Sequence, residues 1–204
     1  MIFDITPLIS EELAVFPGDM PYQSKIAMSF EQGHNLRLGS LHGTFHLGAH
    51  TDAPSHYHPQ GQDIAQRSLD PYIGPCTVLA VKRSKGLIEP QDLPSSPIKP
   101  RVLFKTESFP DPNRWQNDFM ALSPALVEEL ARQGVVLIGI DTPSVDPATS
   151  KELPSHQAIY RHDIAILEGV VLTSVNEGDY ELIALPLKIK GADASPVRAI
   201  LRSL

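Results

Sequence analysis

Between residues 46 and 56 the chain reads His-Leu-Gly-Ala-His-Thr-Asp-Ala-Pro-Ser-His. Three histidines and one aspartate fall within eleven residues, and His58 follows closely. A packed core has no use for that composition. Imidazole nitrogen and carboxylate oxygen are the donors that Zn2+, Mn2+ and Fe2+ take. The cluster points to a metal-dependent enzyme.

His46, His50, Asp52 and His56 occupy even positions, so an extended chain sets them on one face. His46 and His50 would then stand roughly 13 Å apart along a straight strand, too far for one ion. A helix brings that pair together but turns Asp52 away from His50. The chain must bend, and Gly48 permits this without a Cβ penalty. Pro54 and Pro59 are expected to keep the next stretch out of a helix. The reading is a strand end or loop that curls around a metal. His42 and His58 fall outside this spacing and read as non-ligands. The bland alternative, a surface loop that is rich in histidine, leaves the combination of His46, His50, Asp52 and His56 without a reason.

One cluster offers at most four good ligands, so the rest of the set must come from elsewhere. The best source is the segment from His156 to Glu168. Ser155 is placed to cap a helix over SHQAIYRH, which puts His156 in its exposed first turn. Glu168 ends an apolar run just before Gly169, where a buried carboxylate needs a partner. Each residue alone is also consistent with a solvent-facing helix start or a plain salt bridge.

The elements that must position these side chains are short. Apolar, β-branched runs at 77–81, 101–106, 135–140, 164–167 and 170–175 predict strands. A further run at 180–189 contains Pro186, which implies an edge or a bulge. Residues 123–133 predict a helix, with Ser123 as N-cap, Pro124 in the first turn and Gly134 as the stop. The Pro/Ser-rich stretch 90–100 reads as a loop. Strands outnumber helices without alternating regularly with them. A mixed α/β fold is expected, built on a sheet or barrel of mixed strands.

A chain of 204 residues suits one domain spanning 1–204. The formal charge of −7 argues against nucleic acid or an anionic membrane surface as a partner. MIFDITPLIS lacks a basic region followed by a long apolar run, and no stretch reaches the ~18 apolar residues of a membrane span. Cys76 is the single cysteine; it lies in the apolar run CTVLAV and reads as a buried small hydrophobe rather than a nucleophile. A cytoplasmic protein is expected.

The motif His46-x-Gly48-Ala49-His50-x-Asp52-x-Pro54-x-His56, with a distant histidine and a glutamate in the context ILEG, resembles the cyclase/metal-dependent hydrolase family. The likeness runs over almost the whole chain, through VFPGD at 15–19, LDPYIGPC at 69–76, GIDTPSVD at 139–146 and YELIALPLKIKGADASPVRAILR from Tyr180. The last segments, with VFPGD, resemble its formamidase branch. The resemblance implies a swivelling β/β/α fold, a homodimer and two Zn2+ ions per chain. It implies that His46, His50 and Asp52 hold the first ion. Asp52 would bridge to a second ion held by His156, and Glu168 would bridge as well. His56 would stay off the metals as general acid/base, and Phe16 would line the substrate pocket. N-formyl-L-kynurenine is the substrate implied, with other amides or a lactam such as isatin as alternatives. The family often carries Trp where Phe16 stands and Thr where Ala49 stands.

Two other classes compete. His50-x-Asp52 with one distant histidine is also the pattern of non-haem iron oxygenases. That reading expects an all-β jelly roll and leaves His46, His56 and Glu168 idle. A non-catalytic metal-binding module would fill every coordination position with protein.

Overall fold

The runs at 102–104, 135–140 and 164–167 are apolar (with Gly139) and do not alternate with polar residues, the pattern of strands covered on both faces. In the structure, a computed structural model that describes residues 1–81 and 83–204, they lie side by side. In chain order the strands are β1 (Ile2–Asp4), β2 (Gln23–Met28), β3 (Leu38–His42), β4 (His50–Asp52), β5 (Ile73–Ala80), β6 (Leu87–Ile88), β7 (Arg101–Lys105), β8 (Ala121–Leu122), β9 (Leu137–Ile140), β10 (Ala165–Leu167), β11 (Gly178–Ile183), β12 (Ala194–Pro196) and β13 (Ile200–Ser203). The α-helices are α1 (Pro54–Tyr57), α2 (Pro124–Arg132) and α3 (Pro154–Arg161). The mixed α/β architecture expected from the sequence is the one formed.

The main sheet has seven strands in the order β1-β13-β11-β5-β7-β9-β10. Its first half is antiparallel, and β5, β7, β9 and β10 run parallel. Side chains alternate across the parallel half. Val102, Phe104, Ile138, Ile140 and Ile166 enter the core beneath α2 and α3. Leu103, Leu137, Ala165 and Leu167 enter a second core on the other face. Burying a Leu or Phe this fully contributes about 1.5–3 kcal/mol, so both faces hold the sheet. This half-parallel sheet is not the jelly roll an iron oxygenase reading requires.

Several expectations are corrected. Residues 170–175 do not form a strand. Their amides find partners outside a ladder, Val171 N–H donating to Ile5 O at 2.8 Å and Val175 N–H to Leu172 O at 2.9 Å. Val170, Leu172 and Val175 still cover the second core. The run at 180–189 pairs only as far as Ile183, three residues short of Pro186. Pro54 does not exclude a helix but opens one: it takes the first position of the single-turn α1, where its missing N–H costs nothing. α2 forms as expected, with Ser123 Oγ accepting from Leu126 N–H at 3.1 Å. Cys76 is fully buried, and that burial pushes its thiol pKa up.

Candidate metal centre

The bend expected at Gly48 is present. Its φ is +60°, and its carbonyl accepts from His50 Nδ1 at 3.0 Å, which fixes that imidazole. Gly169 (φ +66°) packs so closely that a Cβ there would lie 2.4 Å from Gly48 O. Beyond the bend, β4 pairs with β12, setting Asp52 opposite Ala194. His50 and Glu168 exchange both backbone hydrogen bonds, at 3.1 and 2.9 Å. The motif strand is thereby tied to the carboxyl end of β10. The site lies at the carboxyl ends of β9 and β10, where open α/β sheets place their ligands.

Asp52 divides its carboxylate between two sets of histidines. Oδ1 lies 3.1 Å from His46 Nδ1 and 3.5 Å from His50 Nε2, and Oδ2 lies 3.4 Å from His156 Nε2. Glu168 lies between the same sets, with Oε2 3.1 Å from His50 Nε2 and Oε1 3.8 Å from His156 Nε2. Val145 N–H donates to Oε1 at 2.7 Å and holds that carboxylate. His50, Asp52, His156 and Glu168 are each at most 3% exposed. Yet His50 Nε2 and both Asp52 oxygens make no aligned hydrogen bond. Buried polar atoms left so are costly, and a cation accounts for all three. Donor atoms of His50, Asp52 and Glu168 fall within 4.8 Å of one another, as do those of His46, Asp52 and His56. These residues fit a metal.

The electrostatics agree. Burial works against charge on His46, but the Asp193 and Asp52 carboxylates outweigh it and push its pKa up to about 10. Burial also opposes charge on His156, where Asp146 and Asp52 push the pKa up to about 10. Burial would raise the pKa of Asp52; His156, His46 and His50 together hold it well below the usual carboxylate range. The protein concentrates acceptors and protonatable nitrogens around a point where positive charge is stabilised.

Where sequence placed His156 in an exposed helix start, the structure buries it. Ser155 does not cap α3; its hydroxyl donates to Leu122 O at 2.8 Å. The cap comes from Asp146, whose carboxylate accepts from Ser155 N–H and His156 N–H, both at 3.0 Å, and from His156 Nδ1 at 2.6 Å. His56 lies on α1 at the mouth of the site with its side chain 35% exposed. Phe16 lines the same cavity, about 750 Å³ in volume, and packs edge-on against Trp115 at 4.9 Å. Ala49 is buried in the second core. His42 lies exposed on β3, and His58 stacks on Tyr160 at 3.8 Å.

Sequence reasoning missed Asp146, Asp193 and Trp115. Asp146 and Asp193 sit inside segments quoted for the resemblance, GIDTPSVD and KGADASP, but no spacing distinguishes them from other acidic residues. Trp115, the single tryptophan, was a usable signal.

A mixed sheet with a His/Asp/Glu centre at its carboxyl edge defines a class. The chain belongs to the Cyclase family, whose model matches residues 3–147, and it is an enzyme of the hydrolase class. It is 46% identical to the kynurenine formamidase of Bordetella pertussis, over 100% of this chain and 98% of that one. Among solved structures it resembles a "Potential Metal-Dependent Hydrolase With Cyclase Activity" with a TM-score of 0.84 and 27% identity, covering 98% of this chain and 96% of the other. Isatin hydrolase A from Labrenzia aggregata shares the fold, with a TM-score of 0.81 at 19% identity over 98% of this chain and 93% of that one.

Proposed function

We propose that the chain hydrolyses N-formyl-L-kynurenine to L-kynurenine and formate with two zinc ions. The observation that carries the metal reading is Asp52, whose two buried oxygens make no aligned hydrogen bond and face two different histidine sets. His46, His50 and Asp52 would hold one ion, and Asp52, His156 and Glu168 the other, with both carboxylates shared. Full-length identity of 46% to kynurenine formamidases supports the substrate. We further infer that residues 1–204 act as one domain, in a cytoplasmic homodimer whose mass light scattering would measure.

Two divalent ions there would supply a water with a pKa near 7 and stabilise the oxyanion formed from the formyl group. The protein's own residues do the rest. Asp52 and Glu168 place two negative charges among the histidines and hold them in register. Phe16 and Trp115 offer aromatic surface at the cavity rim for an aryl ring. His56, off the metals, has Nδ1 engaged by Asp193 and Nε2 left for proton transfer. It takes a proton as the water is activated and returns it to the aryl-amine nitrogen as the C–N bond breaks. Formamide and water thus become amine and formate, with one proton released.

Hydrolysis of N-formyl-L-kynurenine, compared with isatin and simple formanilides, tests the reading. The formamide is expected to be turned over fastest, a chelator to abolish turnover and zinc to restore it. An enzyme that opens isatin and leaves N-formylkynurenine untouched would move the assignment to lactams. Turnover in metal-free protein would remove the mechanism.

A further inference from the structure

We propose that Asp193 is a positioning residue that fixes the ring and tautomer of His56, so that Nε2 alone serves the reaction. The inference rests on the reading of His56 as acid/base. Asp193 Oδ2 lies 3.2 Å from His56 Nδ1 and 3.2 Å from His46 Nε2. One oxygen thus contacts both the mouth histidine and a histidine of the metal motif, whose rings lie 4.3 Å apart.

An exposed ion pair usually contributes little, because two mobile side chains must be ordered to make it. Asp193 differs because the backbone sets its place. Its carbonyl accepts from Ala53 N–H at 2.8 Å, and Ala53 O in turn accepts from His56 N–H at 2.9 Å. On one side Ala192 O accepts from Ile64 N–H at 3.0 Å, and Gly191 N–H donates to Asp63 Oδ2 at 2.7 Å. On the other, Ala194 begins the strand paired with Asp52. The segment carrying Asp193 is therefore stitched to 53–64, the segment carrying His56. The main chain thus holds the two residues side by side, and only side-chain rotation is left to be ordered when carboxylate and imidazole meet.

A neutral imidazole has one donor and one acceptor nitrogen, and the partner of one nitrogen decides the role of the other. A carboxylate at Nδ1 requires the Nδ1–H tautomer. It also stabilises the imidazolium that forms when Nε2 accepts a proton. The same arrangement of carboxylate, imidazole and reacting atom is found in the Ser-His-Asp triad, where the carboxylate holds the tautomer and orientation of the base. Neither set of close donor atoms includes Asp193, so its loss removes no ligand; its equal contact with His46 Nε2 offers a second route, which the H56A background separates from the route through His56.

The test uses zinc-loaded protein and the variants D193N and D193A. In the wild type, 15N spectra of the histidine side chains are expected to show His56 protonated at Nδ1, and D193A should lose that preference. Turnover should fall on the order of 10²-fold, within the range of a positioned acid/base, in kcat rather than KM. It should fall more for amides with poor leaving groups. In an H56A background D193A should cost almost nothing further. Two zincs per chain should remain in every variant. The proposal is overturned if the His56 tautomer is unchanged in D193A, if the losses multiply with H56A, or if zinc is lost. The spectroscopic arm needs no substrate. If it holds while N-formylkynurenine is not hydrolysed, only the functional reading fails; if it fails while the wild type turns over normally, only this inference fails.

Discussion

Asp52 is the residue on which both donor sets converge, so a single substitution acts on both. Asp52→Asn replaces one oxygen with an amide that cannot ligate as an anion, and it is expected to lose most bound metal together with activity. Glu168→Gln should do the same, because Glu168 lies between His50 and His156. Elemental analysis of purified protein checks this, and two ions at full occupancy in both variants would show that neither carboxylate bridges. His56→Ala should behave oppositely, keeping both metals and losing on the order of 10²–10⁴-fold in rate. A missing zinc in that variant would make His56 a ligand and send the search for the acid to His58 and His162. This division of labour was partly legible in sequence, because His46, His50, Asp52 and His56 lie in one short motif that no core would need. Asp193 was not legible: it is 137 residues from His56, and a lone acidic residue near the end of a chain carries no pattern.

At the scale of elements, caps and pairing decide where the donors point. α3 brings His156 to the site, and Asp146 both caps the helix and bonds the imidazole at 2.6 Å. Removing a cap costs about 1 kcal/mol, and a buried polar atom left unsatisfied adds about 1–3 kcal/mol. Asp146→Ala should therefore destabilise by about 2–4 kcal/mol in urea unfolding, against about 1 kcal/mol for the cap-only Ser123→Ala. Equal losses would show that the bond to His156 contributes nothing. The sequence distinguishes these helices poorly. Ser123 and Ser155 both precede helical patterns, yet Ser155 turns its hydroxyl to Leu122 O because Asp146 already serves the helix end. That competitor lies nine residues back along a loop, beyond any local rule. Strands β7, β9 and β10 were legible because burial on both faces produces unbroken apolar runs. The run at 170–175 has the same composition, but its place over the second core needs burial without a ladder.

Across the whole molecule, the candidate donors come from the loop at His46, from β4, from α3 and from the residue that follows β10, so segments far apart in sequence meet at one point. A bound metal therefore cross-links the fold, and a ligand present at 100 times its Kd stabilises the native state by about 2.7 kcal/mol. The sign of its pH dependence follows from the two histidines whose pKa values are raised to about 10 in the metal-free chain. A raised pKa contributes stability that is complete below the unfolded value of about 6.5. That contribution is lost as pH climbs from there through about 10. Metal binding needs both imidazoles without their protons, so it competes with that protonation and strengthens over the same window. The gap in unfolding free energy between zinc-loaded and chelator-treated protein is thus expected to widen from pH 6.5 to 8.5. Calorimetric zinc titrations at pH 7.5 in buffers of different ionisation enthalpy should show protons released, one each from His46 and His156 and a further share from bound water. A gap that narrows as pH rises, or zinc binding without proton release, would mean that the metal does not take these two imidazoles.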